Sequence, residues 1–199
     1  MPAKDDDLSC VDISGSMPVS QDELNRRTER RFAKEPMKWE HCMDIYDTQA
    51  WHELSRSPSQ EVVYQQHCNK VRKEWKSISD YMLAKVFNFE TVQCSKSDSG
   101  KLAARPILDG VTCTMKPMKK LVRNDFPYNF VEGIEHWCLW KIGSDIEVEE
   151  IFDARRKIVK ESQEDGKHVE DLMHWTNPPH LKSLPEIDHV HILCLAKQK

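Results

Sequence analysis

Ile187-Asp188-His189-Val190-His191-Ile192-Leu193-Cys194-Leu195 alternates with a period of two, and its reading decides how the chain is built. On a strand, Val190, Ile192 and Cys194 take one face while His189 and His191 share the other, roughly 7 Å apart along the strand. The first face belongs to a core. The second offers two imidazoles on a rigid element, a pattern used for metal ligation, for nucleophilic attack with proton donation, or for proton transfer. Half-buried strand histidines that merely hydrogen-bond are the competing explanation.

A strand of this composition needs antiparallel partners, and the sequence upstream supplies them. Residues 134–142 form a strand whose faces are His136, Cys138, Trp140 and Glu135, Trp137, Leu139. Residues 119–125 form another, joined to it by the aromatic linker Phe126-Pro127-Tyr128-Asn129-Phe130-Val131-Glu132-Gly133. A polar turn at 95–100, flanked by Thr91-Val92-Gln93-Cys94 and by 102–108, reads as a hairpin.

The helices come from spacing and caps. Trp39, Cys42, Met43, Ile45 and Tyr46 recur at helical intervals, with a second apolar group at Trp51 and Leu54. Ser57-Pro58-Ser59-Gln60 has the parts of a capping box and opens a helix expected to reach about Val86, with Tyr64, Val71, Trp75, Ile78 and Met82 as its apolar stripe. Ser144-Asp145-Ile146-Glu147 repeats the logic for a helix to about Gln163, with Ile151, Phe152, Arg155, Ile158 and Val159 on its buried side and a stop at Asp165-Gly166. A short helix is expected over 169–175, ended by Asn177-Pro178-Pro179. The fold class is α+β: one domain over 37–199, an antiparallel sheet covered by helices. Residues 1–36 read as a mostly flexible arm in which only 22–32 has helical character.

With 199 residues, 39% hydrophobic and 31% charged, and a net charge of −4, the chain suits a single globular core and carries no basic stripe for nucleic acid. Its start lacks the features of a secretory signal and no run is long enough to span a bilayer, so a cytoplasmic protein without membrane partner is expected. Seven cysteines without CxxC or regular spacing fit reduced thiols, with Cys138 and Cys194 as small core residues. No Walker loop, GxGxxG, GxSxG, HExxH or paired-cysteine zinc pattern is present.

Around the histidine strand, further residues are candidates for chemistry. His136 can join His189 and His191 in a three-imidazole cluster, although only one of Glu135 and His136 can face it. Arg123 and Asp125, two residues apart, are either a local ion pair or a fork for a substrate carboxylate or phosphate. Trp175, Asn177 and Ser183 precede the strand on loops suited to orienting a ligand, and Trp137, Trp140 and Trp175 are either pocket walls or core.

Several separated motifs carry a family resemblance: Leu54-Ser-Arg-Ser-Pro58, Arg123-Asn-Asp-Phe-Pro-Tyr128, Gly133-Ile-Glu-His-Trp137, Trp175-Thr-Asn-Pro178, and Leu184-Pro185 ahead of His189-Val-His191. From about Trp39 to the C-terminus the chain resembles the fungal N-acetylglucosamine-induced protein family, whose domain has no known function. The resemblance implies an intracellular fungal protein connected with sugar response or secondary metabolism. A more distant likeness is to the histidine-triad superfamily, in which an Asn, a Ser and a His-x-His-x-His strand form a nucleotide-phosphate site. Asn177, Ser183, His189 and His191 are similar in order, but Leu193 stands where a third histidine would be.

The leading expectation is a small-molecule enzyme using His189 and His191 as an acid/base or nucleophile pair, with His136 or Glu135 as third member and no cofactor. Arg123, Asp125, Trp137, Trp175, Asn177 and Ser183 then hold the ligand. Hydrolysis, isomerisation and cyclisation all remain open as reactions. Two alternatives stand beside it: zinc or iron held by His136, His189 and His191, and a non-catalytic module that responds to a sugar or nucleotide. A small-molecule substrate is the expected partner, with a homodimer left open.

Overall fold

The computed structural model describes residues 33, 35–95, 100–105, 116–182 and 184–198. Most of the 1–36 segment, including the helix expected over 22–32, therefore lies outside the described residues. So do Ser183 and residues 106–108 of the expected hairpin arm.

The His-Val-His strand is the axis of the fold. It runs as β6, Asp188–Gln198, inside a four-stranded antiparallel sheet of order β3-β4-β6-β5, with β3 at Met118–Arg123, β4 at Ile134–Ile142 and β5 at Lys167–Trp175. β1 (Thr91–Gln93) and β2 (Leu102–Ala104) form the separate expected hairpin. Gly133 turns the chain into β4 at φ +93°, and a Cβ there would sit 3.2 Å from the Ala196 carbonyl oxygen, a crowding only glycine avoids.

Helices cover both sides of the sheet, so its faces are buried alike. Trp137, Leu139, Val190, Ile192 and Cys194 pack beneath α4 (Val148–Glu164), which contributes Ala154 and Ile158. On the opposite face, Leu193, Met173 and Trp175 meet α1 (Trp39–Thr48), while Cys138 and Trp140 meet α3 (Ile78–Phe87). The histidine face is thus closed over by packing, and Ile192 and Leu193, one on each side, are both fully buried. Each such aliphatic side chain contributes about 1.5–3 kcal/mol, which anchors β6 from both faces.

Several local expectations change. The helix expected from Ser57 to about Val86 is two helices, α2 (Pro58–Glu74) and α3, separated at Trp75 to Ser77. Ser57 and Gln60 form the capping box as expected, but Ser77 caps again by accepting the Asp80 backbone N–H, and the Lys76 backbone N–H turns to the Leu102 carbonyl. The last helix starts three residues later than Ser144 suggests, because Glu147 and Glu150 make the box; Phe152 on it is 43% exposed rather than buried. Residues 169–175 are strand rather than helix: β5 pairs with β6 along Lys167 to Trp175, through an irregularity between Val169 and Asp171. No helix among the described residues is long and apolar enough to cross a membrane.

Candidate functional site

Registration of β4 against β6 sets Trp140 opposite His189, Cys138 opposite His191 and His136 opposite Leu193. Because opposed residues share a face, His136, Cys138, His189 and His191 converge on one side of the sheet. Trp175 arrives beside His191 from β5. All three histidines are buried, His189 at 2%, His136 at 4% and His191 at 7% exposure.

Ring contacts hold them. Trp140 stacks on His189 at 4.5 Å between centroids and Trp175 on His191 at 4.9 Å, with Trp51 stacked behind Trp175 at 5.5 Å. Tyr128 stacks on His136 at 5.3 Å. The aromatic linker between β3 and β4 therefore packs into the site, as its composition suggests.

Hydrogen bonds then fix the protons. The Trp175 indole N–H can only donate, and it donates to Asn177 Oδ1 at 2.9 Å. Asn177 consequently turns Nδ2 toward His191 Nε2, 3.2 Å away, and donates to it. A neutral His191 must carry its proton on Nδ1, which donates to His136 Nε2 at 3.0 Å. His189 is assigned as simply: its Nδ1 lies 3.0 Å from the Ile187 carbonyl, an acceptor only, so Nδ1 holds the proton and Nε2 keeps the lone pair.

Burial keeps the cluster uncharged. It pushes His136 down to about 3, with Arg56 nearby adding to the effect. His191 is held well below the ordinary histidine range by burial and then by its two neighbouring imidazoles. His189 is lowered by burial, partly offset by its bond to Ile187. Cys138 Sγ lies 3.6 Å from His191 Nδ1, and burial pushes its thiol up to about 12. His136, Cys138 and His191 together offer three ligand atoms within 4.8 Å of one another. The metal set expected from the sequence has His189 where Cys138 stands; the group that comes together is His136, Cys138 and His191, while His189 keeps Nε2 free.

Of the other sequence candidates, Trp175 and Asn177 belong to the cluster. Glu135, Trp137 and Arg123 do not: period-two alternation puts them on the opposite face, where Glu135 binds Arg123 at 3.1 Å and Lys167 at 2.5 Å and the Arg123 guanidinium lies over Trp137. Those cations hold the Glu135 carboxylate below its usual range against the opposing effect of burial. Asp125 pairs at the surface with Lys85. His136, not Glu135, shares the face of His189 and His191.

Three members of the cluster are not among the site residues expected from the sequence: Tyr128, Asn124, and Cys138, which is also the small core residue expected. Asn124 lies between the two residues that were chosen, and its Nδ2 sits 3.3 Å from His136 Nδ1 and 3.5 Å from Nε2. Alternation from Arg123 was the available signal.

The profile of a family described as "Protein of unknown function (DUF3605)" matches residues 38–195, which contain every element of this cluster. The chain belongs to DUF3605. No curated protein matches its sequence. One solved chain, titled "Crystal Structure of HTC1", is similar to this DUF3605 member at a TM-score of 0.50 and 21% identity, covering 80% of this chain and 85% of that one. At that identity the likeness concerns the fold.

Proposed function

We propose that this DUF3605 protein is a small-molecule enzyme that moves a proton with neutral imidazoles: His189 Nε2 as base, and the His191–His136 pair as donor to the charge that develops. The observation that carries the reading is the buried His191 to His136 hydrogen bond of 3.0 Å, oriented from behind by Trp175 and Asn177. Imidazoles kept neutral by burial can polarise a carbonyl by donation without first losing a charge. Hydrolysis, isomerisation and cyclisation of a metabolite all use that pairing of base and donor. Direct attack by His191 on phosphorus fits less well, since Asn177 and His136 occupy both of its ring nitrogens. We place the activity in sugar or secondary metabolism inside the cell, following the family resemblance.

Turnover measured across panels of small esters, lactones and keto acids tests this. His189→Ala and His191→Ala should each abolish whatever activity the wild type has, with unchanged circular dichroism. Full activity in both variants refutes the reading.

A zinc or iron enzyme is the second reading, favoured by the His136, Cys138 and His191 ligand atoms. A site of two imidazoles and a thiolate suits zinc and leaves a fourth position open. Elemental analysis of protein purified without added metal decides it: one bound metal per chain, lost together with activity on chelation, supports this reading over the first.

A further inference from the structure

The hydrogen-bond chain through the two histidines has donors at both ends. At one end the Trp175 indole N–H forces Asn177 to present Nδ2 to His191. At the other, the Phe126 backbone N–H donates to Asn124 Oδ1 at 3.0 Å, which forces Asn124 to present Nδ2 to His136. An indole and a backbone amide have no lone pair to offer, so neither carboxamide can be turned round without setting two N–H groups against each other.

Two neutral imidazoles pass one proton direction along a chain and cannot absorb donors from both sides. With Asn177 donating to His191 and His191 to His136 Nε2, the last proton falls on His136 Nδ1, and the distances show that it meets no acceptor. The Asn177 to His191 contact of 3.2 Å and the His191 to His136 contact of 3.0 Å have ordinary hydrogen-bond lengths. Asn124 Nδ2, by contrast, is nearly equidistant from both ring nitrogens of His136, a position over the ring rather than on either lone pair. His136 carries its proton on Nδ1 because Nε2 accepts from His191, and the Asn124 carboxamide N–H lies over the ring beside it. Asn124 is half-buried whereas His136 is buried, which puts this contact on the solvent-near side of the cluster.

We propose that the His136 Nδ1–H and the Asn124 Nδ2–H form a two-donor subsite for an oxygen acceptor of a small ligand, a carbonyl or carboxylate oxygen. This deepens the acid/base reading by naming what the donor pair holds. An oxygen that accepts from both groups supplies the acceptor that the His136 Nδ1–H lacks. A metal ion between His136 Nε2 and His191 Nδ1 leaves two ring N–H groups without one, because both outer nitrogens then carry hydrogens and His191 Nε2–H faces the Asn177 amide. Metal-ligating histidines ordinarily turn their second N–H toward an acceptor, which neither asparagine provides.

The test uses the full chain labelled with ¹⁵N-histidine and sodium formate as probe. Two-bond ¹H–¹⁵N correlation near neutral pH should show Nδ1–H tautomers for both His136 and His191, and formate should shift the His136 resonances saturably. Asn124→Asp supplies the missing acceptor from within the protein and should weaken formate at least about tenfold. The proposal is overturned by an Nε2–H tautomer at His136, by no saturable shift in the wild type, or by equal formate affinity in the variant. The wild-type measurements stand if the variant does not fold. None of these readouts needs turnover, so full activity in both His189→Ala and His191→Ala beside a normal wild-type formate response removes the acid/base reading and leaves the subsite.

Discussion

Lowering the pH should unfold this protein through its buried histidines before its carboxylates take part, and His136 gives the size of the effect. Burial holds it at about 3 in the folded chain, whereas an unfolded histidine titrates at about 6.5. A histidine depressed on folding binds fewer protons in the native state, so its stabilising contribution is fully present above pH 6.5 and is lost as pH falls toward 3. At about 1.36 kcal/mol per pH unit, the one and a half units between 6.5 and 5 cost about 2 kcal/mol, and the descent to pH 3 costs about 5 kcal/mol. His191 and His189 are shifted in the same direction and add to the loss. Against a total stability of about 5–15 kcal/mol for an ordinary domain, that is enough to unfold the chain in mild acid. Glu135, Glu150 and Asp188 have lowered values, so their contributions fade only as pH falls through the unfolded carboxylate range of about 4 to 4.5. The window from pH 6.5 to 5 therefore isolates the histidines. Urea denaturation at half-unit steps across it measures the slope of stability against pH, and His136→Gln should reduce that slope by about one proton. The variant will be less stable throughout because His191 loses its acceptor, but the slope is independent of that offset. Equal slopes in wild type and variant would refute the claim that His136 is neutral because it is buried.

Asn177→Leu strips the acceptor from Trp175 and the donor from His191 in a buried setting and should cost about 2–5 kcal/mol by urea denaturation. Asn177→Asp keeps the acceptor for Trp175 but sets a carboxylate against His191 Nε2, so the His191 value should rise; ¹⁵N titration of His191 checks it. Glu135→Gln should lower stability by about 1–3 kcal/mol through its contacts with Lys167 and Arg123, while leaving histidine tautomers and any turnover unchanged. Ser77→Ala, which removes the second cap, should cost about 1 kcal/mol and lower the thermal midpoint by a few degrees.

What could be read from the sequence follows how local the deciding interaction is. The β6 strand, its β4 partner and the Ser57 capping box are each specified within a few residues, and each appears where expected. β5 is different. Val169, Leu172 and Met173 sit at helical intervals, yet the segment pairs with β6 because that strand has backbone groups to satisfy on both edges. Tertiary pairing overrides a local period, and no window on residues 167–175 contains that information. The division of the helix has a local signal: Ser77-Ile-Ser-Asp80 resembles the cap that marks Ser57, and its Ser77 Oγ accepts from the Asp80 backbone N–H.

Asn124 shows how far the alternation rule extends when it is applied consistently. Choosing Arg123 and Asp125 for their charges took both residues from one side of an extended segment. Arg123 is opposed to Trp137, on the α4 face, so the next residue along must turn toward the face of His136; the Asn124 backbone N–H does donate to the His136 carbonyl. A charge invites attention in a sequence because it is expensive to bury, and for that reason it is usually found paired at a surface, as Asp125 is with Lys85. A neutral carboxamide can enter a buried cluster at little cost if both its ends find partners. Asn177 does so completely, between Trp175 and His191. Asn124 does so only at its oxygen, and a His136 Nδ1–H beside it that meets no acceptor is what separates this network from a finished core hydrogen-bond network.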